Sequence, residues 1–119
     1  MRGIRGAITV KENEQNNIIN NTQDLIKTII NRNEVKNQEI VSMIFTATSD
    51  LDSEYPAVAA RDLGYKQIPL MCYQELKVKD SLNKCIRIMI YINRDCSLSE
   101  IKHVYLKNAR KLRPDLIDD

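Results

Sequence analysis

Residues 84–92, with the sequence KCIRIMIYI, decide the fold of this 119-residue chain. Isoleucines occupy alternate positions of the run, a pattern that predicts a β-strand with one face in the core. Arg87 falls on the other face, between Cys85 and Met89. We expect this guanidinium to be buried, and a buried cation persists only beside a carboxylate, a phosphate or developing negative charge. Arg87 therefore predicts an anion-binding site on a rigid strand.

A second arginine, Arg5, lies in a similar setting near the start of the chain. Residues 2–10 (RGIRGAITV) predict another strand, in which Gly3 and Gly6 leave little side-chain bulk around the arginine. Glycine inside a strand often marks a close approach by a ligand or by another backbone. Either arginine alone could equally pair with a surface carboxylate. Two arginines on apolar strands favour the anion-binding site.

The composition is that of one ordinary globular domain, with 43% hydrophobic and 29% charged residues. A net charge of +2 and an aromatic content of 5% predict neither a nucleic-acid nor a membrane partner. Three cysteines without CxxC spacing, and a single histidine, predict no disulfide framework, metal site or cofactor. No stretch resembles a signal peptide or a membrane span, so we expect a cytoplasmic protein.

The remaining pattern predicts an α+β fold in a single domain, with a mixed β-sheet and helices on one face. Asn13 is a candidate N-cap for the first helix, and Gly64 is expected to end the second. The expected strands are 2–10, 40–48, 68–74, 84–92 and 101–106; the expected helices are 15–33 and 55–64, with helical turns at 97–100 and 108–112.

Glu75 carries the strongest polar signal besides the arginines, because it falls at the predicted end of a strand, where side chains project into clefts. It could accept a hydrogen bond from a substrate hydroxyl or pair with an arginine. Cys72 is expected to be a small buried residue, while His103 and Tyr105, two positions apart, share one face of a strand. No nucleophile pattern or phosphate loop accompanies them. Such a set suits a small dianion held by charge and shape, without covalent chemistry.

Seven ordered motifs along nearly the whole chain give it a recognisable likeness. The chain resembles the monofunctional chorismate mutases of the AroH class, the trimeric type rather than the all-helical one. The motifs are Arg2-Gly3-Ile4-Arg5-Gly6-Ala7, Ala47-Thr48-Ser49-Asp50-Leu51, Tyr55-Pro56-Ala57 with Arg61, Cys72-Tyr73-Gln74-Glu75, Lys84-Cys85-Ile86-Arg87, His103-Val104-Tyr105-Leu106 and Leu112-Arg113-Pro114-Asp115-Leu116.

The resemblance implies an isomerase of aromatic amino acid biosynthesis, on the phenylalanine and tyrosine branch of the shikimate pathway, that rearranges chorismate to prephenate. Arg87 matches the arginine on the breaking ether oxygen, and Glu75 the carboxylate that accepts the ring hydroxyl. Arg5 and Tyr105 match the residues that bind substrate carboxylates, and Cys72 one that lines the pocket. The remaining matches are Tyr55, Ala57 and Arg61, by which a neighbouring subunit closes the site, and Leu112 and Arg113 of a mobile lid.

The resemblance further implies one domain over 1–119, a lid from about 108 to 119, and a homotrimer that forms a pseudo-α/β barrel. Two positions depart from the family pattern: Tyr55 stands where phenylalanine is common, and Val58 where a lysine is common. The alternative functions are a trimeric protein that binds small anions and an enzyme like the small imine deaminases. Turnover of chorismate distinguishes both alternatives from a mutase.

Overall fold

A computed structural model describes residues 1–116 and contains every strand and helix that the pattern predicts, with shifted ends. The two helices and five strands are, in chain order, β1 (Arg2–Thr9), α1 (Gln15–Arg32), β2 (Ile40–Ala47), α2 (Ala57–Asp62), β3 (Leu70–Gln74), β4 (Cys85–Ile92) and β5 (Val104–Leu106). Short 3₁₀ turns occupy Asn37–Glu39, Leu98–Glu100, Lys107–Lys111 and Pro114–Leu116. Among the described residues, no helix is long and apolar enough to cross a membrane.

The strands form one mixed sheet in the order β3-β2-β4-β1-β5. The central strand β4 is antiparallel to both β2 and β1, while the two outer pairs, β2 with β3 and β1 with β5, are parallel. One row across the sheet joins Thr46, Arg87, Ala7 and Tyr105. This architecture confirms the predicted α+β class.

The isoleucine face of β4 packs into the core beneath the helices. Ile86, Ile90 and Ile92 are fully buried, together with Leu25 and Ile29 of α1. The apolar residues of α1 recur at helical spacing, so the helix presents one continuous stripe to the sheet. Burying an isoleucine side chain contributes roughly 1.5–3 kcal/mol. The register of the sheet is therefore held by this face.

Position 6 has no room for a side chain, because α1 crosses directly over Gly6. A Cβ atom at this position would lie 2.6 Å from Cδ1 of Ile29 and 3.1 Å from Cδ1 of Leu25. The expectation that glycine here marks a ligand or a neighbouring backbone is therefore wrong for Gly6. The close approach comes from helix side chains on the core face, opposite Arg5.

The prediction that Asn13 caps α1 is wrong. The N-cap residue is Glu14, and its side chain makes no capping hydrogen bond. The Asn13 side chain instead donates to Asp52 (2.7 Å) and accepts from the backbone N–H groups of Asp52 and Ser53 (3.1 and 3.2 Å). Asn13 therefore joins the start of α1 to the loop that leads into α2.

Local chemistry sets the other element ends. Gly64 ends the second helix as expected, with a φ of +103°. Strand β3 begins only after Pro69, whose carbonyl accepts from the N–H of Met43. Strand β5 is shorter than expected because Ile101 closes the preceding 3₁₀ turn through its N–H to Leu98.

Candidate active site

Arg87 lies on the sheet face that the two α-helices leave open. Its side chain is 46% exposed, so the expectation of a buried guanidinium is wrong for the single chain. The expected carboxylate partner is present, since Arg87 Nε lies 3.2 Å from Oε2 of Glu75. The strand alternation thus assigns the correct face, and the side chain is exposed because neither α-helix of residues 1–116 covers that face.

Glu75 is fixed from two sides. Its backbone N–H donates to the carbonyl of Ala47 at 2.8 Å, which extends the pairing of β3 with β2. Thr46 Oγ1 donates to Glu75 Oε2 at 2.6 Å. Both the threonine and Arg87 contact Oε2, which leaves Oε1 available to a ligand. Thr46 is not among the predicted site residues, although a polar residue among the apolar ones of β2 was a usable signal.

A cavity of about 340 Å³ lies on the open face, and six of the predicted site residues line it. Its volume is within the range of small-molecule sites. The apolar side chains of Ile44 and Met89 contribute to its lining. Arg5 pairs with Met89 of β4, which is two positions along that strand from Arg87. The six predicted residues are Arg5, Glu75, Arg87, Tyr105, Leu112 and Arg113.

The other four predicted residues lie around a second cavity, of about 310 Å³, that shares no lining residue with the first. They are Tyr55, Ala57, Arg61 and Cys72. Cys72 therefore does not lie beside Glu75 in the same pocket. The two residues are three positions apart along an extended segment, so their side chains point to opposite faces. One chain carries two separate halves of the predicted site.

The cysteines near these cavities are protonated thiols. Burial raises the pKa of Cys85 to about 11, against the opposing effect of the neighbouring Arg87 guanidinium. Burial also raises the pKa of Cys72, outweighing a hydrogen bond from the Ala57 backbone. Neither thiol is activated as a nucleophile. Within residues 1–116, no three His, Cys, Asp or Glu side chains converge as metal ligands.

The segment after β5 packs on the open face at one end of the cavity. Ala109 is fully buried and Leu112 packs beside it, against a cluster with Ala7, Cys85 and Tyr105. This packing anchors the C-terminal segment to the sheet as far as Leu112. Beyond this anchor, Arg113 pairs with Asp115 through two contacts of 3.0–3.1 Å. Residues 117–119 of the expected lid lie outside the described residues.

Fold and cavity together define an α+β protein with arginines on a strand face, suited to binding a small dianion. Residues 1–116 match the family model for chorismate mutase type I, and the chain belongs to that family. It is 42% identical to the chorismate mutase AroH of Bacillus subtilis, over 98% of this chain and 92% of that protein. The AroH protein of Thermus thermophilus is 41% identical, over 98% of this chain and 96% of its own length.

A solved chorismate mutase structure from Clostridium thermocellum has the same fold. It superposes with a TM-score of 0.91 at 44% identity and covers 93% of this chain and 99% of its own. These comparisons confirm the family that the seven motifs predicted. They favour neither the anion-binding protein nor the deaminase.

Proposed function

We propose that the open-face cavity is where this chorismate mutase binds chorismate and rearranges it to prephenate. The observation that carries the assignment is the meeting of Arg87, Glu75 and Arg5 in one cavity on a rigid sheet. The activity is that of an isomerase in aromatic amino acid biosynthesis, as membership of the family indicates. Such a biosynthetic role supports the cytoplasm as the place of action.

Arg87 has the central role in the reaction. The rearrangement is an intramolecular pericyclic shift, so no nucleophile or general base is required. The C–O bond breaks ahead of C–C formation, and negative charge grows on the ether oxygen. A guanidinium already fixed at that oxygen by the sheet and by Glu75 stabilises the transition state more than the bound substrate, which is the condition for catalysis.

The other cavity residues hold the substrate in its compact reactive shape. Glu75 accepts a hydrogen bond from the ring hydroxyl through Oε1, while Thr46 and Arg87 hold Oε2 in place. Arg5 and Tyr105 bind the carboxylates, and Arg113 covers them from the C-terminal segment. Restricting a flexible dianion to one conformer removes an entropic part of the barrier.

We propose that the complete site forms between subunits of a homotrimer. The open face of one chain supplies the half with Arg87, and the cavity around Tyr55 and Arg61 of its neighbour supplies the other. Two features support this assembly. The open-face cavity is open to solvent in one chain. Exposed apolar side chains such as Met71 and Tyr73 lie on β3, at the edge of the same sheet. Closing the site in this way would also exclude water from the reacting bonds.

The test is a direct assay with purified protein. Addition of chorismate should cause loss of its ultraviolet absorbance, and proton nuclear magnetic resonance (NMR) of the product should show prephenate. The matched control is the Arg87→Ala variant at the same concentration. Binding of chorismate without turnover by the wild-type protein would reject the mutase function and support an anion-binding role.

A further inference from the structure

His103 makes an unusual contact with the first strand of the site. Its Nδ1 atom accepts the backbone N–H of Arg5 at 2.9 Å. The side chain is half-buried and precedes β5 by one residue. The family-based assignment of site residues gives His103 no role, and it is the chain's only histidine.

The contact replaces a missing bond of the sheet. The pairing of β1 with β5 covers Gly6 to Ile8 against Val104 to Leu106, so Arg5 lies just before its first rung. The N–H of Arg5 faces the β5 side, where no strand of the described part of the chain reaches far enough to accept it. The imidazole supplies the acceptor, because a partly buried backbone donor without a partner is costly. His103 thereby fixes the backbone from which the Arg5 side chain reaches the cavity.

This role requires a neutral ring. A backbone N–H can only donate, so Nδ1 must be unprotonated and the proton must lie on Nε2. Burial lowers the pKa of His103 below its ordinary 6.5, and the charges of Arg5 and Arg113 lower it further. The charged groups that act on the ring are Arg5 on β1 and Arg113, which is paired with Asp115, on the C-terminal segment.

We propose that neutral His103 is a positioning residue for substrate capture: by accepting the Arg5 N–H it holds the Arg5 guanidinium in place, and protonation of the ring releases it. The inference rests on the proposed function, because it takes Arg5 as a ligand of the substrate. The expected effect is on substrate binding and not on breakage of the C–O bond, because Arg5 is proposed to bind a substrate carboxylate.

Two physical effects of acid have opposite signs here. A protonated His103 adds positive charge near the cavity and on that account alone would lower KM for a dianion. Loss of the acceptor loosens Arg5 and would raise KM. We expect the loosening of Arg5 to be the larger effect, so KM rises as His103 becomes protonated in acid, while kcat changes little.

The experiment compares wild type, His103→Asn and His103→Ala in chorismate turnover from pH 8 to pH 5. Asparagine places Oδ1 where histidine has Nδ1, and it accepts a hydrogen bond without titrating. We expect His103→Asn to keep the neutral KM and to show no rise in acid. We expect the KM of His103→Ala to lie about fivefold to tenfold above the neutral wild-type value at every pH, the effect of one lost hydrogen bond, so that its difference from wild type narrows in acid.

An independent readout needs no turnover. With one histidine in the chain, a ¹⁵N NMR spectrum of the imidazole gives a single pair of nitrogen signals, which should report the Nε2–H tautomer at neutral pH. A KM that falls in acid, or an identical acid rise in His103→Asn and wild type, would overturn the proposal. An Nδ1–H tautomer would do the same. Absence of wild-type turnover with the expected tautomer would instead reject the proposed function.

Discussion

Two arginine–carboxylate pairs, one within strand β4 and one just after it, have the same chemistry but different roles. After the strand, Arg94 donates to both carboxylate oxygens of Glu39 (2.8 and 2.9 Å) and to the carbonyls of Asn33 and Glu34. Within the strand, Arg87 contacts Glu75 through Nε at 3.2 Å. Its side chain is 46% exposed, compared with 25% for Arg94.

The difference separates an arginine that holds the fold from one that is ready to bind. Arg94 directs its guanidinium to the end of α1 and to Glu39, so its donors are committed to the protein. Arg87 is oriented by one carboxylate and faces a cavity. A guanidinium with donors still directed at a cavity can meet a developing charge without first breaking internal bonds.

Replacing Arg87 gives the largest expected effect. We predict that Arg87→Ala lowers kcat about 10³-fold, the upper range for removing one transition-state donor, with little change in melting temperature. Arg87→Lys should remain severely impaired, because an ammonium cannot reproduce the planar fork. Steady-state kinetics beside thermal melts provide the measurement. Near-normal turnover by the lysine variant would reject the transition-state role of Arg87 and, with it, the functional difference between Arg87 and Arg94.

A mixing experiment tests whether the two cavities of one chain serve different sites. The Arg87→Ala and Arg61→Ala variants should each be impaired, but if the site is shared, subunits refolded together in equal amounts should regain about a quarter of wild-type activity. The fraction follows because a site is intact only when both contributing subunits carry the right half. Sedimentation should show a trimer. A mixture no more active than its parents, or a fully active monomer, would contradict the shared site.

Shortening the C-terminal segment should have a moderate effect. We predict that truncation before Leu112 raises KM more than it lowers kcat, because the segment adds uniform binding of the carboxylates. Arg113→Ala alone should raise KM about tenfold, equivalent to roughly 1.4 kcal/mol. Since Leu112 packs on the cluster with Tyr105, Leu112→Ala is the control that separates anchoring from charge. A strong fall in kcat at unchanged KM would place the segment in transition-state stabilisation.

The Arg94 pair should affect stability and leave kinetics almost unchanged. Hydrogen bonds from Arg94 lower the pKa of Glu39 from 4.5 to about 2. A carboxylate whose pKa is lower in the folded state contributes its full stabilisation at pH values above its unfolded-state pKa. For Glu39 this contribution is lost as the pH falls from 4.5 towards 2. Glu39→Gln should lower the melting temperature by several degrees at pH 7 and flatten its fall in acid. Glu75→Gln, the matched control, should reduce turnover instead. Equal melting curves for Glu39→Gln and wild type would refute this assignment.

Local pattern predicted the elements because alternation in β4 and helical spacing in α1 are properties of neighbouring residues. The face of Arg87 followed from the same alternation, but its exposure did not, because exposure depends on which sheet face the helices of residues 1–116 cover. The resemblance implied that Tyr55, Ala57 and Arg61 serve a different half of the site from Arg87, but the position of Cys72 with that half was not predicted. It follows from the three-residue spacing of Cys72 and Glu75, which alternation alone could have shown.

Contacts between distant residues were beyond such patterns. Glu39 and Arg94 are 55 positions apart, and nothing in the sequence around either one points to the other. Asn13 looked like a cap because its type and position suit one, yet its side chain bonds a loop 39 positions away. The likeness to a known family supplied the roles of the site residues, which periodicity could not.

The pairing of β1 with β4 also bears on how the protein folds. It joins the start of the chain to a strand far along it, from Arg2 with Ile92 to Thr9 with Cys85. Contacts of such high sequence separation form slowly, because a long loop must close before any of them contributes. Arg5 and Arg87 therefore come together only when the sheet closes. If β4 paired one residue out of register, its isoleucines would face solvent and Arg87 would enter the core. Chains with that pairing are therefore strongly disfavoured during folding.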